Sequence, residues 1–248
     1  VPGPTIKLSP GTTLRVRFRN RLEEQPDSYK TTDQYRFNRY GDPDVGNLHF
    51  HGGHVSGALP ADDTTLAVHP GGSYDFSVPF PDDHMPGLHW VHPHHHGSSS
   101  LHLVGGAALA LIVKDPPGSL PKEVEEAEEK ILVFNDWDIP RAKSIAYVAG
   151  DRLFESSLEA IQGGEEVGMR FITVNGMYKP TMTVERGVWQ RWRILYAGWQ
   201  DLPLNLKMES NGAGCELQLL AKDGIFIQDY PRAITGAVPV PPGGRAEL

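Results

Sequence analysis

Short segments in which hydrophobic and polar residues alternate, separated by turns rich in glycine and proline, make up most of this chain. Residues 14–18 alternate apolar side chains with arginines, and residues 74–78 alternate apolar side chains with an aspartate and a serine. A period of two is typical of a half-buried β-strand. With 27 glycines and 21 prolines, many of them between such segments, the sequence predicts an all-β fold.

Two predicted β regions flank a segment of different composition. The first region, residues 1–114, ends in a glycine-interrupted apolar stretch, 103–113, that we interpret as one buried strand. Residues 115–130 combine prolines with glutamates and predict a linker with a short acidic helix or turn. Residues 131–248 form the second β region. The polar segment 23–46 shows no hydrophobic period and predicts a long surface loop.

All eleven histidines lie between residues 49 and 102, and four of them form two H-x-H motifs. His49 and His51 make the first pair, and His92 and His94 make the second, just before a glycine- and serine-rich stretch interpreted as a turn. Residues i and i+2 of a strand face the same side, so two neighbouring strands would bring four imidazoles together. Imidazole suits copper or zinc, whereas hard cations prefer oxygen ligands. The sequence therefore predicts a metal site built from these four histidines.

The other histidines are expected to serve the structure rather than the metal, because a single histidine is more often packed or solvated than a ligand. They are His54, His69, His84, His89, His95, His96 and His102. Two adjacent carboxylates, Asp62 and Asp63, follow the first H-x-H pair. Such groups are usually solvated, but near a metal ion they accept or relay protons, since the pKa of a carboxylate responds to a neighbouring cation.

Charge and hydropathy exclude several classes of partner. The net charge of −8 disfavours nucleic acid and anionic membrane surfaces. No apolar stretch approaches the roughly 20 residues that span a bilayer, so no membrane is expected as a partner. The first residues, VPGPTIKL, lack the charged and apolar regions of an export signal. We therefore expect that any such signal has been removed or was never present. The single cysteine, Cys215, excludes an intramolecular disulfide.

These motifs resemble those of the multicopper oxidases, the laccase-like enzymes built of cupredoxin domains. The similarity rests on NLHFHG, HPHHHG and LVGGAALALIV in the first region and on FNDWDI, TVNGMYKP, GVWQRWRI, LLAKDG and PPGGRAEL in the second. It covers nearly the whole chain apart from residues 23–46. The resemblance implies two cupredoxin-like Greek-key domains, 1–114 and 131–248, joined by the linker 115–130, with the second domain incomplete at its C-terminus.

The resemblance also implies part of a trinuclear copper cluster that reduces dioxygen to water. By position, His49 matches the ligand of the type 2 copper, His51 and His92 match ligands of one type 3 copper, and His94 matches a ligand of the other. Asp62 is similar in place to a family aspartate that assists proton delivery. The four remaining cluster ligands and the type 1 copper site of the family lie in a later domain.

Cys215 has no neighbouring histidine in the sequence and is interpreted as a structural thiol rather than a type 1 copper ligand. We therefore expect a fragment that carries half of the trinuclear site and does not turn over as a laccase alone. Oxidase chemistry, with dioxygen and a small-molecule reductant as partners, would need the later domain or a homo-oligomer that joins half-sites. By the same resemblance, the expected location is periplasmic or extracellular.

Two other functions stay open on the residues alone. One is a metal-binding module without oxidase turnover. The other is metal-assisted hydrolysis, in which zinc or copper held by histidines lowers the pKa of bound water and Asp62 or Asp63 acts as base. Serine catalysis has less support, because no G-x-S-x-G motif accompanies the serines that follow the second H-x-H pair.

Overall fold

The described part of the chain is all β apart from two short helices. The computed structural model describes residues 2–25, 41–138, 170–199, 202–208 and 216–248. The strands are β1 Ile6–Leu8, β2 Thr13–Arg19, β3 His49–His51, β4 Ser73–Pro79, β5 Gly87–His92, β6 Leu109–Val113, β7 Glu128–Asp138, β8 Arg170–Val174, β9 Met177–Tyr178, β10 Gln190–Ala197, β11 Leu204–Leu206, β12 Gln218–Leu219, β13 Ala221–Lys222, β14 Ile225–Phe226, β15 Arg232–Ala233, β16 Val238–Val240 and β17 Arg245–Glu247. The helices are α1 Ser99–Val104 and α2 Lys122–Glu125. Among the described helices, none is long and apolar enough to cross a membrane.

A four-stranded sheet with the order β1-β6-β5-β3 forms the first half of the structure, beside the antiparallel pair β2-β4. Alternating side chains of β2 and β4 pack against one face of this sheet, where Phe50, Phe76 and Val91 belong to one buried cluster. The arginines of β2 point the other way and are exposed, as the alternation predicted.

A seven-stranded sheet with the order β14-β13-β17-β10-β7-β8-β9 packs against the other face of the first sheet. Leu88 and Trp90 of β5 meet Val133 of β7 and Leu195 of β10 in this interface. Because β5 is covered on both faces, five of its six residues are buried. The far face of the larger sheet holds a third apolar cluster, which includes residues of the β11-β16 pair.

A buried group of ion pairs continues the interface between the two sheets. Glu247 is 1% exposed and accepts hydrogen bonds from Arg191, from Arg193 and from the backbone N–H of Leu88 on β5. The two arginines also bind Asp115, at 2.7 and 2.8 Å. Each buried charge therefore has an opposite charge beside it, which offsets its loss of hydration.

The glycine- and serine-rich stretch after the second H-x-H pair forms the predicted turn at residues 96–98 and then continues into helix α1 at Ser99. Two other local predictions are wrong. The apolar stretch 103–113 is not one strand, because its first residues end helix α1 and only Leu109–Val113 is extended. The end of the predicted surface loop, residues 43–46, is buried, and Asn20 holds it by a side-chain hydrogen bond to the carbonyl of Asp44.

Other expectations agree with the structure. The alternating segments form β2 and β4, paired antiparallel in register, and the acidic linker contains the one-turn helix α2. The domain limits stay a prediction.

Replacing Glu247 with glutamine tests the buried ion pairs. The variant keeps the side-chain volume but leaves Arg191 and Arg193 short of one negative charge in a buried place, so we expect it to lose about 3 to 5 kcal/mol of unfolding free energy. Denaturant unfolding measures this loss. Asp75→Asn, which breaks an exposed pair with Arg17, is the matched control and should change stability far less. Equal losses in the two variants would contradict the role given to Glu247.

Candidate metal centre

The pairing of β3 with β5 brings the two H-x-H motifs together. The strands are antiparallel, with His49 opposite His92 and His51 opposite Trp90. Phe50 and Val91, also opposite each other, point into the first apolar cluster. Because side chains alternate along a strand, the histidines must lie on the other face. The register alone therefore places three imidazoles side by side.

These three imidazoles form a compact group. One ring nitrogen from each of His49, His51 and His92 lies within 4.8 Å of the others. The ring centroids of His51 and His92 are 5.3 Å apart, and that of His49 is 5.5 and 5.2 Å from them. Among the described residues, this is the group whose spacing can hold a metal ion.

Asp62 fixes the orientation of His49. Its carboxylate accepts a hydrogen bond from Nδ1 of His49 at 2.9 Å and another from the backbone N–H of Phe50 at 2.9 Å. A protonated Nδ1 places the lone pair of the imidazole on Nε2. Asp62 therefore contacts the predicted ligand, in the manner of the carboxylates that orient metal-bound histidines.

His92 is held in an equally defined way. Its Nδ1 donates to the carbonyl of Pro93 at 2.8 Å, and its Nε2 lies 3.1 Å from Nδ1 of His51. The ring stacks on Trp90 at a centroid distance of 4.0 Å. Nε2 of His92 thus carries the lone pair of the ring, and this lone pair accepts a hydrogen bond from Nδ1 of His51.

The position of His94 differs from the prediction. Strand β5 ends at His92, so the second H-x-H pair does not lie on one strand. His94 still comes close to the group, with its ring centroid 5.0 Å from that of His49 and 6.0 Å from that of His92. Its Nδ1 is buried and has no hydrogen-bond partner among the described residues. Proline at position 93 has no N–H for a strand ladder, which explains why β5 stops there.

Burial favours the neutral form of His51, His92 and His94. It lowers the pKa of His92 to about 3 and, together with the nearby Arg245 guanidinium, that of His51 to about 4. Burial and the neighbouring His49 also lower the pKa of His94. Neutral imidazole is the form that binds metal ions, so near pH 7 protons compete weakly for these nitrogens.

The last strands of the chain close one side of the group. Gly243 has a φ of +75°, and a β-carbon there would lie 3.3 Å from the Trp90 ring and 3.6 Å from the His51 ring. Arg245 is buried and donates hydrogen bonds to the carbonyls of Leu88 and Gly243. Sequence reasoning missed both residues, since nothing in the sequence links the PPGGRAEL segment to histidines nearly two hundred positions earlier.

Most of the other histidines have separate environments, whereas the ring centroid of His96 lies 5.9 Å from that of His94. His84 accepts a hydrogen bond from the backbone of His54 and lies near His89, which is 3% exposed. His102 binds the carbonyl of Pro43, while His69 is exposed. Asp63 accepts hydrogen bonds from Thr65 instead of contacting the histidine group. Cys215 lies outside the described residues.

Comparison with known proteins extends these observations. No family model matches the chain. The chain is 25% identical over 234 residues to Laccase-3 of Thanatephorus cucumeris, covering 92% of this chain and 36% of that protein. Laccase-1 of the same fungus is 26% identical over 240 residues, with the same coverage of both chains.

A solved structure has a similar fold. A multicopper oxidase from Pseudomonas thermotolerans superposes with a TM-score of 0.65 and 25% identity, covering 98% of this chain and 49% of that one. The chain thus spans about a third of the length of the two laccases and about half of this structure.

Replacing His89 tests how burial couples to pH. The ring faces His84, Arg245 and Arg193, and burial followed by His84 lowers its pKa to about 4. The unfolded state, with a histidine pKa near 6.5, binds more protons, so stability falls as the pH drops from about 6.5 towards 4. We expect His89→Leu to reduce the loss of unfolding free energy between pH 7 and pH 4.5 by about 2 to 3 kcal/mol.

Urea unfolding of the metal-free protein at the two pH values measures this difference. His69→Leu, which removes an exposed histidine, is the control. A His89→Leu variant with the pH dependence of the wild type would show that folding does not lower the pKa of His89.

Proposed function

This chain belongs to the laccase-like multicopper oxidase family, and on that premise we propose that His49, His51, His92 and His94 bind copper as part of an oxidase centre. The observation that carries the proposal is the register of β3 against β5, which puts ring nitrogens of three of these histidines within 4.8 Å of one another. His94 supplies a fourth imidazole beside them.

The donor set fits copper. All four groups are imidazoles, and burial favours the neutral form of three of them. The buried Nδ1 of His94 has no hydrogen-bond partner, as expected for an atom that a metal ion or an ordered water would satisfy. We assign His49 to a type 2 copper, His51 and His92 to one type 3 copper, and His94 to another. Bound copper would supply the one-electron redox chemistry needed to reduce dioxygen.

The chain's own residues then have definite tasks. Asp62 holds the proton on Nδ1 of His49, which leaves Nε2 free, and its carboxylate is placed to receive a proton close to the centre. Trp90 covers the His92 ring and excludes water from that side. The side chain of His49 is 22% exposed, so the group stays open to a further ligand-bearing surface and to dioxygen.

A complete oxidase would join these histidines to a second set of ligands, supplied by a later domain or by a second copy. A small-molecule reductant would then provide electrons. Periplasmic or extracellular action is part of the same proposal. It follows from the resemblance to laccases, not from any feature of the described structure.

Copper titration with electron paramagnetic resonance tests the proposal. We expect the electron paramagnetic resonance spectrum of Cu²⁺ to show nitrogen hyperfine structure from imidazole. We expect the visible spectrum to lack the blue absorption of a type 1 copper. His92→Gln should abolish or strongly weaken the Cu²⁺ resonance, whereas His69→Gln, which alters an exposed histidine, should leave it unchanged. Unaltered copper binding in His92→Gln would refute the ligand assignment. Binding of zinc in strong preference to copper would instead favour a hydrolytic or metal-storage role.

The role of Asp62 can be tested separately. Asp62→Asn keeps the size of the side chain but weakens its hold on the Nδ1 proton of His49, so the affinity for Cu²⁺ should fall about 10- to 100-fold. Asp63→Asn is the matched control, because Asp63 bonds to Thr65 instead. Competition with a chelator of known affinity measures both constants. Equal affinities of Asp62→Asn and Asp63→Asn for Cu²⁺ would show that Asp62 does not support His49 as a copper ligand.

A further inference from the structure

Asn47 is, like Asp62, a polar residue whose side chain lies beside the histidine group. Asn47 is 1% exposed and makes three hydrogen bonds to the backbone. Its Oδ1 accepts from the N–H of His94 at 2.7 Å. Its Nδ2 donates to the carbonyls of Thr64 and Leu66, at 2.9 and 3.0 Å. These contacts use both amide protons of the side chain.

The three partners belong to the segments that carry the centre. Asn47 itself lies two residues before His49, on the way into β3. Thr64 lies two residues after Asp62, in the same loop. His94 follows the end of β5 and the proline that ends it, so its backbone N–H has left the strand ladder and binds Asn47 instead.

We propose that Asn47 is a positioning residue of the copper centre, one that fixes His94 relative to His49 and Asp62. This inference rests on the copper-binding function proposed above. His49 is held by β3 and Asp62, and His92 by β5 and Pro93. In the described part of the chain, the side-chain hydrogen bond that holds the backbone N–H of His94 comes from Asn47. Metal sites need their ligands held within about 0.5 Å of the productive geometry, so loss of this hydrogen bond should weaken metal binding.

The chain contains a close chemical match for Asn47 in another place. Asn20 is 4% exposed, its Nδ2 donates to the carbonyls of Asp44 and Val68, and its Oδ1 accepts from the N–H of Leu22. None of these partners carries a predicted ligand. Asn47→Ala and Asn20→Ala therefore each remove three hydrogen bonds of the same kind from a buried side chain. Of the two residues, Asn47 is the one next to the predicted ligands.

The experiment compares the two variants with the wild-type protein. Chelator competition gives the dissociation constant for Cu²⁺, electron paramagnetic resonance gives the copper hyperfine coupling, and urea unfolding gives the stability of the metal-free proteins. We expect both variants to lose stability. The dissociation constant of Asn47→Ala should rise at least roughly tenfold with an altered hyperfine coupling, while Asn20→Ala stays within about twofold of the wild type.

The outcomes separate the two proposals. Wild-type protein that binds copper, together with an Asn47→Ala variant of equal affinity and spectrum, would overturn the role of Asn47 alone. Wild-type protein that binds no copper would overturn the copper function and this inference with it. If the alanine variants do not fold, Asn47→Leu and Asn20→Leu, which fill the vacated volume, provide the same comparison.

Discussion

The burial of Phe50 and Val91 in the first apolar cluster is the constraint on which the histidine group depends. The two residues lie opposite each other on β3 and β5, and both are about 2% exposed or less. A slip of one residue in either strand would move an apolar side chain out of the core and turn histidines into it. The hydrophobic effect that holds the register therefore also sets the spacing of the imidazoles.

Strand β5 also connects the histidine group to the second half of the chain. Leu88 and Trp90 face the larger sheet, Glu247 binds the backbone of Leu88, and Gly243 lies against Trp90. Charged and apolar contacts thus share one interface. Removal of one buried charge from this interface leaves its partners unpaired. We therefore expect a change in the interface to affect the stability of both sheets together.

Much of the fold could be predicted from the sequence, because it follows from local periodicity. The alternation in β2 and β4 and the spacing of the two histidines within each H-x-H motif depend only on near neighbours. Helix α1 escaped prediction, since its apolar residues continue into β6 without a change in composition. For the candidate site, the sequence predicted the four histidines and Asp62 but gave no indication of Asn47, Trp90 or Gly243. Their roles arise from hydrogen bonds and packing between segments distant in sequence, which carry no local signal.

The place of β17 in the larger sheet has a consequence for how the histidine group forms during folding. This strand lies inside the sheet, between β10 and β13. Gly243 and Arg245, which close one side of the group, are more than 190 positions away from His49 in the sequence. The group is therefore complete only after contacts of very high sequence separation have formed, and such contacts slow folding because a long loop must close first.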